Sequence, residues 1–207
     1  MKIVHISDTH GRYPGVLPAG DVLVHSGDAV LYGQLAEYPE FANWISGHGF
    51  KHILVIPGNH DIAIAQQERA VRDILSVKGI TLLVHSGCDI SGIAFWGSPW
   101  TPRYRDWVFM AETSRLRELW AQIPPDIDVL VTHGPPRGVL DIAGTEHIGC
   151  PELLNRVLAI KPRVHLFGHC HPTYGIHYLG PTVCYNSALV DDWLTFKHDA
   201  QILEVTK

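Results

Sequence analysis

Five short polar clusters contain the residue types that bind divalent metal ions and move protons. They are Asp8-Thr9-His10, Gly27-Asp28, Gly58-Asn59-His60-Asp61, Thr132-His133-Gly134 and Gly168-His169-Cys170-His171. Carboxylate and amide oxygens combined with imidazole nitrogens suit Mn, Fe or Zn better than a soft-metal site. Two such ions side by side activate water and stabilise both oxygens of an in-line displacement at phosphorus. The clusters therefore indicate phosphate-ester hydrolysis at a pair of divalent ions.

The spacing within two of the clusters predicts which side chains share an ion. Asp8 and His10 are separated by one residue, and in an extended backbone residues i and i+2 point to the same side. We therefore expect both to reach one ion while Thr9 points away. The same argument pairs His169 with His171.

The remaining candidate ligands come from single positions. We expect Asp28 to bridge two ions through its two oxygens, Asn59 to offer a neutral carbonyl oxygen, and His133 to supply a further imidazole. Two divalent ions beside the carboxylates of Asp8 and Asp28 leave a positive net charge even when a hydroxide joins them. Such a centre attracts a phosphate anion.

Each cluster directly follows an apolar run, and these runs predict short buried strands. The runs are residues 3–6, 22–24, 53–56, 129–131 and 164–167. In open α/β sheets, ligands bind at the carboxyl ends of the strands. The pattern therefore delivers the candidate ligands to one edge of a sheet.

The rest of the chain alternates further predicted strands with helical segments. Predicted strands cover residues 81–84, 92–96, 182–185 and 201–205, and predicted helices cover residues 39–46, 63–77, 112–122 and 151–160. These strands are too many for one simple parallel sheet, so we expect two sheets packed face to face with helices outside. The long segment 98–110, rich in Trp, Pro, Arg and Tyr, predicts a functional loop.

Length and composition predict a single globular domain spanning residues 1–207. The chain has 207 residues, enough to bury a proper core, with 46% apolar and 18% charged residues. Its formal net charge of -5 provides no basic surface for a nucleic-acid backbone. We therefore expect no long nucleic-acid partner, whereas a small nucleotide substrate remains open, as does the oligomeric state.

The cysteines and the N-terminal residues favour a cytoplasmic location. The four cysteines form no Cys-x-x-Cys pair, and their spacing suggests no disulfide framework. The sequence passes from Met1 and Lys2 almost directly into an apolar strand, without the hydrophobic region of a secretory signal. No apolar run approaches the length of a membrane span, so we expect no membrane association.

In order and in residue type, the five clusters closely resemble the calcineurin-like metallophosphoesterase family. The family pattern is Asp-x-His, Gly-Asp, Gly-Asn-His-[Asp/Glu], a further His and Gly-His-x-His, and the likeness extends from Met1 to about Val205. Segments 7–10, 97–102 and 132–136 are similar to the branch of small metallophosphoesterase-domain proteins first described from brain. The resemblance implies a four-layer α/β/β/α sandwich, in which two mixed β-sheets are flanked by helices.

The resemblance also implies a role for each ligand. One ion would be held by Asp8, His10, Asp28 and His171, and the other by Asp28, Asn59, His133 and His169. His60 would contact the phosphate or protonate the leaving oxygen, and Asp61 would orient the His60 imidazole. A hydroxide bridging the two ions would be the nucleophile.

Candidate substrate contacts are Arg12 and three residues of the 98–110 segment, namely Trp100, Arg103 and Tyr104. One interpretation of the segment is a wall for an aromatic leaving group such as a nucleobase, with an arginine near the phosphate. The other is a hydrophobic lid packed on the fold, because aromatic side chains usually join the core. Arg12 is a candidate substrate contact or an ordinary surface residue.

Three histidines, His5, His25 and His165, lie inside the apolar runs. We interpret them as core residues with satisfied hydrogen bonds. Hydrogen bonds to the ligand loops are the alternative, since metal ligands usually have such partners.

Together these observations predict a dinuclear metal-dependent phosphoesterase for small phosphodiesters or nucleotides, including cyclic nucleotides. One alternative is a catalytically quiet metal-binding interaction module on the same fold. Loss of ligands would indicate that role, and none is lost here. A protein phosphatase is a further alternative, although the chain offers no extra segment to form a peptide groove.

Overall fold

The computed structural model describes residues 1–206, and these residues form fifteen strands and four α-helices. The strands are β1 (Lys2–Ile6), β2 (Val22–His25), β3 (His52–Val55), β4 (Ile80–Leu82), β5 (Ser86–Ile90), β6 (Ile93–Ser98), β7 (Thr101–Pro102), β8 (Met110–Ala111), β9 (Val129–Thr132), β10 (Ile142–Ala143), β11 (Glu146–His147), β12 (Val164–Phe167), β13 (Gly175–Leu179), β14 (Thr182–Asn186) and β15 (Gln201–Glu204). The helices are α1 (Tyr38–Ser46), α2 (Ile62–Ser76), α3 (Thr113–Ala121) and α4 (Pro151–Ile160). None of these helices combines the length and apolar character needed to cross a bilayer.

The first large sheet has the strand order β15-β1-β2-β3-β4. Strands β1 to β4 are parallel, with Ile3 opposite Val22 and Leu23 opposite Ile53, while β15 joins β1 in the antiparallel sense. The carboxyl ends of β1, β2 and β3 therefore meet at one edge. The first three polar clusters follow these strands and so lie together at that edge.

The second large sheet has the strand order β13-β14-β12-β9-β6-β5. Its four inner strands are parallel, and the two outermost strands are antiparallel. The carboxyl ends of β9 and β12 carry the clusters of His133 and His169. An isolated parallel bridge between Ser7 and Ala188 connects the two sheets at this end.

The two sheets pack face to face, and helices cover their outer surfaces. Apolar side chains between the sheets include Ile3 and Val24 from one side and Phe95, Val131 and Leu166 from the other. Helices α1 and α2 pack on the outer face of the first sheet, and α3 and α4 pack on the outer face of the second. The predicted four-layer α/β/β/α sandwich is confirmed.

The predicted helices and strands are all present, with ends that differ from the predictions by at most two residues. Strands β5 and β13 were not predicted, because Ser86–Ile90 and Gly175–Leu179 lack a continuous apolar run. Both are extended because they pair with a neighbouring strand at the edge of the sheet. The 98–110 segment is a loop closed by the short parallel pair β7 and β8.

Candidate metal centre

The clusters leave their strands through tight turns in which several non-glycine residues have left-handed backbone conformations. The φ angles are 57° at Asp8, 46° at His10, 56° at Asp28 and 66° at His169. Such values are uncommon for residues with a side chain and concentrate at functional sites. The expectation of an extended backbone at Asp8, His10 and His169 is therefore wrong, and His169 and His171 belong to different groups of ligand atoms. The side chains of Asp8 and His10 nevertheless converge with His171, with ligand atoms within 4.8 Å of one another.

The two carboxylate oxygens of Asp8 have different partners. Its Oδ2 accepts the backbone N–H of His169 at 2.9 Å, which ties the last cluster to the first. Its Oδ1 lies 3.3 Å from Nε2 of His171. Asp8 is 0% exposed, so this carboxylate faces the cluster rather than solvent.

Asp28 divides its oxygens in the same way. Its Oδ1 accepts the backbone N–H of His60 at 2.8 Å. Its Oδ2 lies 3.7 Å from Nε2 of His10 and 3.4 Å from Nε2 of His133. The sequence predicts a bridge through both oxygens of Asp28, but only Oδ2 lies between the imidazoles of His10 and His133. The correction follows from the hydrogen bond that occupies Oδ1.

The second group of ligand atoms comes from Asp28, His133 and His169, again within 4.8 Å of one another. Nδ1 of His133 lies 3.0 Å from the carbonyl oxygen of Ser26, which only accepts, so Nδ1 carries a proton and donates it. Nε2 of His133 therefore faces the site, 3.0 Å from Oδ1 of Asn59.

The buried charges shift the protonation of this group when no cation is present. Burial lowers the pKa of His133, but the adjacent Asp28 carboxylate outweighs it and raises the pKa to about 9. Burial raises the pKa of Asp28, but His133, His10 and His60 hold it well below its usual range. The His133 imidazole thus carries a positive charge at a position where a bound cation could take over its role beside Asp28.

The arrangement fits divalent cations. Two ligand atoms that each lie about 2.1 Å from one ion stand about 3.0–3.4 Å apart. The observed separations across Asp8, His10, Asp28, His133 and His171 are 3.3, 3.4 and 3.7 Å. Asp8 Oδ1 and His10 Nε2 are buried and have no hydrogen-bond partner among the described residues. A shared cation satisfies both atoms.

Asp61 does not orient His60, and that expectation is wrong. Its carboxylate accepts the backbone N–H groups of Asp28 at 2.9 Å, Ala29 at 3.2 Å and Gly58 at 2.7 Å. It also accepts the Tyr38 hydroxyl at 3.0 Å. Asp61 is 0% exposed and fastens the Asp28 loop to the loop after β3. Burial and the nearby Asp28 raise its pKa to about 7.

His25 connects two ligand-bearing loops from inside the fold. The Thr9 hydroxyl donates to the carbonyl of Ala29 and therefore accepts from His25 Nε2, which lies 3.0 Å away. Nδ1 of His25 accepts the backbone N–H of Gly27 at 3.3 Å. Burial lowers the pKa of His25 to about 4, which keeps the ring neutral and this pattern of donors and acceptors fixed.

The other two histidines inside the apolar runs also contact residues near the clusters. His5 lies 2.8 Å from the Ser26 hydroxyl, and His165 lies 2.8 Å from the Thr132 hydroxyl, next to the His133 cluster. Burial lowers the pKa of both rings to about 3. His5, His25 and His165 are therefore core residues that also hydrogen-bond to residues next to the candidate ligands, so both interpretations of these histidines apply.

Two glycines let the loops approach closely. A Cβ atom on Gly58 would collide with the carboxylate of Asp28 and the ring of His133. A Cβ atom on Gly168 would collide with the carboxylate of Asp8 and the side chain of Ser7. Both positions therefore require glycine for the candidate ligands to stay in place.

A cavity of about 410 Å³ opens above the cluster, which we call the metal cavity. It is lined by His10, Leu31, Asp28, Asn59, His60, Tyr104, Arg105, Trp107, Met110, His169, His171, Asp192 and Leu194. The ring of His60 lies against the ring of Trp107, with centroids 4.1 Å apart. The cavity therefore combines a polar floor with an aromatic wall supplied by the 98–110 loop.

The four candidate substrate contacts lie in different parts of the structure. Tyr104 lines the metal cavity, whereas Arg103 pairs with Glu112 at 2.7 Å. Trp100 packs in the apolar cluster beneath α3 and α4, so the prediction of a substrate contact there is wrong and the core alternative holds. Arg12 is exposed and lies outside the lining of the metal cavity.

Asp192 is a site residue that sequence reasoning missed. Its Oδ1 lies 3.6 Å from Nδ1 of His171, on the side of the ring that faces away from Asp8. The short apolar stretch Ala188-Leu189-Val190 precedes Asp191 and Asp192, but it belongs to no predicted strand or motif, so the sequence does not single out Asp192 as a site residue. Asp192 reaches His171 only because the loop after β14 packs beside the last cluster.

A family model described as calcineurin-like phosphoesterase matches residues 1–173. Metallophosphoesterase domain-containing protein 1 of Homo sapiens is 33% identical over 91% of this chain and 66% of its own length. The chain thus spans just under two thirds of that relative. A UPF0046 protein of Caenorhabditis elegans is 34% identical over 99% of this chain and 81% of its own. The resemblance to this family is confirmed.

The fold also occurs in a solved structure of low sequence similarity. The crystal structure of TT1561 of Thermus thermophilus has a TM-score of 0.64 and 14% sequence identity. The match covers 90% of this chain and 88% of the other. At this identity the likeness concerns the fold alone.

The role of Asp61 as a fastener predicts a loss of stability on Asp61→Asn. The amide group would place N–H donors against backbone N–H donors, so we expect the free energy of unfolding of the metal-free protein to fall by about 2–4 kcal/mol. Urea denaturation in a chelator measures this change. Asp126→Asn, at an exposed position, is the matched control and should change it by less than about 0.5 kcal/mol. Equal effects of the two substitutions would contradict the assignment.

The raised pKa of His133 predicts that cation binding releases protons. At pH 7.5 a group with a pKa of about 9 is mostly protonated, and its Nε2 must lose the proton to become a ligand. We expect about one proton released per chain, measured by calorimetric metal titration in buffers of different ionisation enthalpy. His133→Asn should reduce the release. Heats that do not depend on the buffer would contradict the prediction.

Proposed function

The chain belongs to the calcineurin-like phosphoesterase family, and from this membership and its site we propose that it hydrolyses small phosphodiesters or nucleotides with two divalent ions. The family supports the coarser statement that the protein is a metal-dependent phosphoesterase. The dinuclear mechanism and the substrate class are our proposal. Cyclic nucleotides fall within the proposed range.

The observation that carries the proposal is the position of Asp28 between two sets of ligand atoms. Its Oδ2 faces His10 on one side and His133 on the other, at 3.7 and 3.4 Å. One carboxylate oxygen in this position suits a bridge between two cations better than a site for one. The remaining ligand candidates divide into two groups around it.

The residues that would hold the ions follow from this division. One ion would lie among Asp8, His10, Asp28 and His171, and the other among Asp28, Asn59, His133 and His169. When bound, the ions would lower the pKa of water to produce a nucleophile near neutral pH and would neutralise charge on the phosphate. Mn, Fe and Zn suit this mixture of nitrogen and oxygen ligands.

His60 is the proposed proton donor to the leaving oxygen. Its backbone N–H is held by Asp28, and its ring is held between His10, at 4.9 Å between centroids, and Trp107, at 4.1 Å. The ring therefore lies beside the candidate ligands with its orientation restricted by two neighbours. Such positioning is what a general acid requires.

The metal cavity supports a small substrate. Its volume of about 410 Å³ lies within the range of about 300–1,000 Å³ that small-molecule sites occupy. Tyr104 and Trp107 offer aromatic surface for a ring, and Arg105 adds a positive charge close to the incoming phosphate. The net charge of -5 does not favour binding of a long nucleic acid.

The test of the function is hydrolysis by metal-stripped protein to which Mn, Fe, Zn, Ni or Mg is added back singly. We expect a transition metal to restore hydrolysis of bis(p-nitrophenyl) phosphate and of small nucleotides, because the ligand set suits those ions. A phosphopeptide tests the protein-phosphatase alternative and should be a poor substrate. No turnover with any ion, despite two ions bound per chain, would contradict the proposal and favour the interaction module.

The role of His60 predicts that His60→Ala retains two ions but loses activity by about 10²–10⁴-fold, as expected for removal of an acid–base group. Metal content and kcat, measured on the same sample, separate the two effects. Asp28→Ala is the comparison variant and should lose both metal and activity. The test is needed because the imidazole of His60 also lies within 4.8 Å of ligand atoms of His10 and Asp28. Loss of metal in His60→Ala would make His60 a ligand instead.

A further inference from the structure

A second cavity of about 520 Å³ adjoins the metal cavity, and we call it the side pocket. Its lining includes Tyr104, Arg137, Ala143, His147, Pro151 and His169. Tyr104 and His169 line both cavities. A molecule whose phosphate lies at the candidate ligands can therefore extend past Tyr104 into the side pocket.

The buried Asp141 shapes this pocket. Only 1% of Asp141 is exposed, and its Oδ2 accepts the backbone N–H groups of Gly138 at 2.9 Å and Gly149 at 3.1 Å. Its Oδ1 lies 2.7 Å from Nδ1 of His147. Because a carboxylate accepts, Nδ1 of His147 carries a proton, and Nε2 is the nitrogen left for a ligand.

Arg137 brings hydrogen-bond donors to the same wall. One terminal nitrogen donates to the carbonyl of His147 at 3.2 Å, and within residues 1–206 no carboxylate forms an ion pair with this guanidinium. A guanidinium has five N–H donors, so most remain for a ligand. Arg103 differs, because Glu112 lies 2.7 Å from its Nε.

The balance of charge favours a neutral ligand over a second phosphate. The lining contains Arg103 and Arg137, but Glu112 pairs with Arg103, and Glu146 adds a negative charge to the lining. The walls otherwise include Tyr104 and several apolar residues, which provide flat surface for a ring. The pocket thus combines a ring-sized space, an acceptor on histidine and donors on arginine.

We propose that the side pocket binds the nucleobase of a nucleotide whose phosphate occupies the metal cavity. His147 Nε2 accepts from the base, the Arg137 guanidinium donates to it, and Tyr104 packs against the ring. Asp141 acts as a positioning residue, because it holds the His147 ring by Nδ1. The proposal rests on the proposed function only for the position of the phosphate.

The test compares two ligands that differ only in the base, namely adenosine 5′-monophosphate and ribose 5-phosphate. Calorimetry on the metal-loaded protein measures both dissociation constants, with release of inorganic phosphate monitored in parallel. We expect the wild type to bind the nucleotide at least about tenfold more tightly, since the base adds hydrogen bonds and packing.

Three variants test whether the difference in affinity arises in the side pocket. His147→Ala and Arg137→Ala each remove one contact, and Ala143→Phe fills the pocket. Each should weaken binding of the nucleotide about tenfold and leave binding of ribose 5-phosphate within about twofold. Arg69→Ala is the matched control, because this exposed arginine of α2 lines neither cavity, and it should change neither constant. Thermal denaturation of each variant checks that the fold is retained.

The outcomes separate this proposal from the proposed function. Equal affinities of the wild type for the two ligands would overturn the base site, as would variants that weaken both ligands equally or neither. Tighter binding of the nucleotide with no hydrolysis of any phosphate ester would support the base site and overturn the proposed function. Hydrolysis without any preference for a base would do the reverse.

Discussion

The site depends on two buried carboxylates that each use one oxygen to hold a neighbouring loop. Asp8 accepts the backbone N–H of His169, and Asp28 accepts that of His60, so the remaining oxygen of each is directed into the cluster. Two buried negative charges are costly unless positive charge compensates them. Protonated imidazole supplies it in the metal-free protein. Bound divalent cations would supply more, and this need explains why Asp8 Oδ1 and His10 Nε2 remain without hydrogen-bond partners among the described residues.

The surrounding residues make this arrangement rigid before any ion binds. Asp61 fastens the Asp28 loop to the loop after β3, and His25 connects the first two clusters through Thr9 and Gly27. These groups are buried and their hydrogen bonds are satisfied, so the ligands have little freedom to move. Preorganised ligands cost less entropy on binding and define the geometry of the centre. The parallel strands of the two sheets bring the clusters together, and the hydrogen bonds set their final positions.

The proposed substrate contacts lie on different elements from the candidate metal ligands. The candidate metal ligands lie at the carboxyl ends of strands, whereas the metal cavity and the side pocket are completed by the 98–110 loop and the segment around Asp141. Side chains at strand ends are held in a precise geometry, whereas loops can vary in sequence and shape without disturbing that geometry. Family membership therefore supports metal-dependent phosphoester chemistry, and the proposed nucleotide specificity depends on residues such as Tyr104 and His147.

The sequence by itself determined the four helices, nine of the fifteen strands and the strand ends at which the candidate ligands lie. Apolar runs followed by polar clusters are local patterns, and parallel pairing brings their ends to one edge. Only the tertiary structure decided that Asp28 offers one oxygen, that Asp61 holds backbone instead of His60, and that Trp100 joins the core. Asp61 and Asp28 are 33 residues apart, and Asp8 reaches a residue 161 positions away. Residue type limits what a side chain can bind, but contacts across such distances, fixed by packing, select the partner.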